Sequence, residues 1–120
     1  MDKRYYVPFE TAKMCQANGF PCTDRDMYYM PDGEMIYGYD LRYEEVAHVV
    51  PAPTYHEVLD WLENEKRCYI ESCTIPSDNG NRKWYCWVKS PSMYENRAPY
   101  FCRKDALNEA IMYVLEMLKQ

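Results

Sequence analysis

Residues 52–66, APTYHEVLDWLENEK, read as a capped amphipathic helix, and the rest of the chain is placed by reference to it. Pro51 and Pro53 hold the approach extended, Thr54 stands at the N-cap, and Glu57 lies three residues on, where a capping box closes back on the cap. Tyr55, Val58, Leu59 and Leu62 recur at i, i+3, i+4 and i+7, so one face needs a sheet or another helix to cover it.

The chain downstream supplies that cover. Residues 67–76 alternate as a strand, 77–82 form a polar loop containing Asn79-Gly80, and 83–90 alternate again, which together make a hairpin. One face carries Ile70, Trp84, Cys86 and Val88; the other carries Tyr69, Glu71, Cys73, Tyr85 and Trp87. Residues 91–99 read as a loop, and Tyr100-Phe101 as a brief third strand. A last helix over 103–119 follows, with the apolar stripe Ala106, Leu107, Ala110, Ile111, Val114, Leu115 and Leu118, and with Cys102 at its cap.

Upstream, residues 8–18 read as a first helix with Gly19 as its left-handed stop and with Phe9, Ala12 and Cys15 or Gln16 facing inward. Residues 27–30 and 35–39 flank Pro31-Asp32-Gly33-Glu34 as a hairpin rich in Tyr and Met. Residues 41–50 form a connector in which 43–47 could make a helical turn or 46–50 an edge strand. The expected fold is α+β, ordered helix, strand, strand, helix, strand, strand, short strand, helix. It forms one domain over 1–120, with an N-terminal helix and hairpin in 1–40 and a helix-hairpin-strand-helix unit in 52–120. The last two helices cover one face of an antiparallel sheet.

A chain of 120 residues with 48% apolar and 28% charged residues falls among globular proteins of one-domain size. Its net charge of −5 argues against a protein that grips phosphates with its whole surface. No apolar run reaches the length of a membrane helix or a signal-peptide core, so a cytoplasmic location is expected, with all six cysteines as reduced thiols. There is no Cys-x-x-Cys pair or Cys/His cluster of zinc spacing, and the glycines are isolated, so no metal, nucleotide or other cofactor is expected. His48 and His56 fall in no recognisable nucleophile motif with a cysteine, and the chain reads as non-catalytic.

The aromatic face Tyr69, Tyr85 and Trp87 is the candidate binding feature. It is read three ways: as core covered by the N-terminal helix and first hairpin, as an interface with a protein partner or a second copy, or as a base-stacking platform served by Arg82, Lys83 and Lys89. Thirteen tyrosines, each an apolar ring with a polar tip, suit an interface.

Two resemblances accompany this reading. The helix, three-strand, helix order of 54–119 is similar to the double-stranded RNA-binding domain, which implies nucleic-acid contacts at Arg103 and Lys104, the positions matching that family's basic cluster at the start of its second helix. Three patterns, VPFETAK running on to Gly19-Phe20, APTY leading into VLDWL at 58–62, and DALNEA at 105–110, resemble small uncharacterised proteins of bacteriophages and mobile elements of gut bacteria. That likeness implies a cytoplasmic accessory protein acting in the host cell.

Overall fold

The structure is a computed structural model that describes residues 3–21, 25–76, 82–91, 93–100 and 103–118. The fold is α+β, and its contacts cluster into two compact units, Met1–Val58 and Leu59–Gln120. The division falls inside a helix rather than in the connector after residue 40.

In the first unit, α1 (Phe9–Ala17) begins after Pro8, whose extended backbone (φ −60°, ψ 157°) sets the helix entrance. It ends at Gly19, where φ is +94°, as the sequence leads one to expect. Asn18 caps the last turn, its side-chain amide donating to the Met14 carbonyl at 2.8 Å. The inward residues are Thr11, Ala12 and Cys15. Phe9 lies half-buried instead, its ring 5.3 Å from that of Tyr29.

The expected hairpin is part of a three-stranded sheet. β1 (Met27–Tyr29) pairs antiparallel with β2 (Met35–Tyr37) on one side and β3 (Val50–Pro51) on the other. The connector takes the helical-turn alternative, a 3-10 segment over Tyr43–His48, and the strand expected over 46–50 is instead the two residues Val50–Pro51, because the 3-10 segment takes up residues 46–48. Pro51 is tolerated because β3 is an edge strand. As the central strand β1 is buried throughout, whereas β2 is partly open. The Tyr29 hydroxyl donates to the Val7 carbonyl at 2.6 Å, and the Val7 N–H to the Pro53 carbonyl at 3.0 Å, which ties both chain segments to this sheet.

α2 (Tyr55–Lys66) starts as its sequence predicts. Thr54 Oγ1 accepts the Glu57 N–H at 3.2 Å while Glu57 Oε1 accepts the Thr54 N–H at 3.0 Å, completing the capping box. Its most buried positions are Val58, Trp61 and Leu62, with Tyr55 and Leu59 half-buried, so the inner stripe is turned toward Trp61 relative to expectation. Arg67 stops the helix in the left-handed region (φ 56°).

In the second unit β4 (Tyr69–Pro76), β5 (Arg82–Ser90) and β6 (Met93–Tyr100) form an antiparallel sheet in that order. β6 corrects the sequence reading, which has a loop over 91–99: MYENRAPY is polar and contains Pro99, a composition that an edge strand tolerates and that hides its periodicity. α3 (Arg103–Leu118) packs against all three strands and buries Ala106, Leu107, Ala110, Ile111, Val114 and Leu115, the predicted stripe except for Leu118, which is half-buried. Ile70, Cys86 and Val88 are buried on the sheet. The predicted loop containing Asn79-Gly80, and the cap position Cys102, lie outside the described residues.

Candidate functional site

The β4–β5 register pairs Tyr69 with Lys89, Glu71 with Trp87 and Cys73 with Tyr85. Residues directly opposite across a ladder share a face, so the side chains predicted to lie together do so, on the face opposite Ile70, Cys86 and Val88. Lys83 shares it by register. β6 adds Tyr94 opposite Lys89.

This face is not sealed as a core would be. Tyr69 keeps 43% of its surface in solvent and Tyr94 62%, while Tyr85 and Trp87 are half-buried. The rings are nonetheless held. Trp87 and Tyr94 stack at 4.7 Å between centroids and 27° between planes. Lys89 Nζ lies 5.8 Å from the Tyr69 ring centre and 5.3 Å from that of Tyr94, so its ammonium is shared by two π faces. Glu71 Oε2 is 3.5 Å from the same ammonium. The result is a patch of large rings, several held by one another and by Lys89, with the Lys89–Glu71 pair among them.

Tyr94 was missed in sequence because it sits in the segment read as loop. The turn dipeptide Pro91-Ser92, directly after a strand, is the signal that could have found it.

The residues matched to the RNA-binding pattern open α3. Arg103 is exposed, with Nε 3.3 Å from the Ser72 hydroxyl, and Lys104 is half-buried. The exposed Asp60, Glu63 and Glu65 make α2 acidic.

The described thiols are poor nucleophiles where burial acts on them. Burial pushes Cys15 up to about 12 and raises Cys68; for Cys86, burial and then Cys73 outweigh the nearby Arg103 and bring it to about 11. Among the described residues no group of three or more His, Cys, Asp or Glu side chains is placed to hold a metal, and no helix is long and apolar enough to cross a membrane.

The first unit has a polar cleft of about 220 Å³ lined by Tyr6, Arg25, Asp26, Met27, Thr54 and Glu57. Arg25 forms an ion pair there with Glu57 and packs its guanidinium 4.9 Å from the Phe20 ring centre. Burial alone would raise the Glu57 carboxyl, but the Arg25 hydrogen bond, the Thr54 N–H, the Arg25 charge and the Thr54 hydroxyl together hold it below the ordinary value of 4.5. Folding lowers this pKa, so the stabilisation is present above about pH 4.5 and is lost as pH falls through the folded value. Glu57→Gln is accordingly expected to flatten the acid limb of a stability-versus-pH curve below about pH 4.5. Urea unfolding at a series of pH values checks this, and an unchanged acid limb would contradict it.

No protein-family model, no curated protein and no solved structure matches this chain.

Proposed function

We propose that the chain is a non-catalytic binding module whose sheet face of Tyr69, Tyr85, Trp87 and Tyr94 docks a protein, with a second copy of the chain as its first partner. The observation that supports this most directly is the locked, part-exposed ring cluster. Aromatic rings with restricted rotamers lose little entropy on association and supply large contact area. Glu71 and Lys89 sit side by side on the same face, so a two-fold axis passing between them would set each opposite its complement in a second copy. Base stacking is served less well, because ring faces needed by bases are taken up by Trp87, Tyr94 and Lys89 among themselves. The sequence likeness to phage and mobile-element proteins adds the setting, an accessory protein in the cytoplasm of a host cell.

Sedimentation velocity over a concentration series tests the proposal, backed by a pull-down from bacterial lysate. The wild type is expected to associate with itself, and Trp87→Ala with Tyr94→Ser to remain monomeric while keeping its helical circular dichroism. A wild-type chain that stays monomeric and retains no protein sensitive to those two substitutions overturns it.

A second reading, binding of duplex RNA, is favoured by the observed order of α2, three antiparallel strands and α3, with Arg103 and Lys104 at the start of α3. It requires a gel shift that weakens steeply with salt and is reduced by Arg103→Glu. Absence of either effect removes it.

A further inference from the structure

The first unit carries a second, differently charged surface. Over residues 37–46 the chain exposes Tyr37, Tyr39 (82%), Tyr43 (95%) and Val46 (55%), and no residue of the 3-10 segments Gly38–Asp40 and Tyr43–His48 is buried. The Tyr37 and Tyr39 rings stack at 5.1 Å and 15°, a pre-ordered pair that contributes nothing to a core. Apolar side chains clustered in solvent mark contact surfaces, whereas a surface built only for solubility uses charged chains there.

Charge specifies what such a contact takes. Over residues 37–48 three carboxylates, Asp40, Glu44 and Glu45, accompany a single cation, Arg42, giving this stretch a net charge of −2. The Glu45 carboxylate accepts the Arg42 N–H at 3.0 Å, but the side-chain carboxylates of Asp40 and Glu44 hold no hydrogen bond or ion pair among the described residues. We propose that this tyrosine ledge is a docking surface for an arginine-bearing, positively charged protein segment. Arginine suits it better than lysine, because a planar guanidinium stacks on a tyrosine face while forking its N–H donors to a carboxylate. The proposal uses none of the residues of the aromatic sheet face and does not rest on the function proposed for it.

The test is fluorescence anisotropy of the full chain with two labelled seven-residue peptides, one alternating arginine with glycine and the other alternating lysine with glycine, at one low ionic strength. The arginine peptide is expected to bind about threefold tighter than the lysine peptide. Tyr39→Ser with Tyr43→Ser is expected to weaken it about tenfold, whereas Glu63→Gln with Glu65→Gln on α2, and Trp87→Ala on the sheet face, leave it unchanged. Equal binding of the two peptides, insensitivity to the tyrosines, an equal loss from the α2 substitutions, or no binding overturns the proposal. A loss with Trp87→Ala would assign the peptide to the sheet face instead and overturns it as well.

Discussion

Ile111→Ala is expected to destabilise the second unit by about 2–5 kcal/mol, and Ile111→Val by about 0.5–1.5 kcal/mol. Ile111 is fully buried on the side of α3 that also buries Leu107, Val114 and Leu115, and α3 is the helix that meets all three strands of its sheet. Removing its side-chain methylenes costs both their transfer from water and the cavity left among neighbours that are themselves close-packed. Domains of this size hold only about 5–15 kcal/mol in total, so the alanine variant should unfold at a much lower urea concentration. The slope of that transition should stay as in the wild type. A shift no larger than that of the valine variant would mean that α3 does not seal the sheet.

Gly38→Ala is expected to cost about 3 kcal/mol or more in the first unit. A Cβ at Gly38 would stand 2.3 Å from the carbonyl oxygen of Arg25, which is backbone and cannot swing away as a side-chain tip could. The same glycine donates its N–H to the Asp26 carbonyl at 2.7 Å, so relieving the clash opens the bond that continues the β1–β2 ladder. Gly19→Ala makes a useful contrast: nothing lies within 4 Å of its Cβ, and only the positive φ of 94° resists the change, at about 1 kcal/mol. Thermal unfolding of the two variants should show the larger loss at Gly38. Equal losses would contradict the close approach of the two chain segments.

Helices were the legible part of this sequence because their signals are local. Thr54 and Glu57 specify the start of α2 between themselves, Gly19 stops α1, and the stripe from Ala106 to Leu115 recurs over about three turns. Alternation likewise places Tyr69, Tyr85 and Trp87 on one face, as the β4–β5 register does. The edge strands were not legible. β3 is two residues long and includes a proline, and β6 is polar, so neither shows the alternation of a half-buried strand. Missing β6 also hid Tyr94, and with it the clamp on Lys89. Shared face is a local property of a strand, but whether that face is covered depends on distant chain, which periodicity does not encode.

The openness of the aromatic sheet face is the premise on which the binding proposal stands, and it is measured most directly by nuclear magnetic resonance with a neutral gadolinium chelate added to the solvent. The account predicts strong paramagnetic broadening of the Tyr69 and Tyr94 ring signals, intermediate broadening at Trp87, and sharp signals from Val88 and Ile111. Ring signals of Tyr69 and Tyr94 as well protected as those of Ile111 would contradict it.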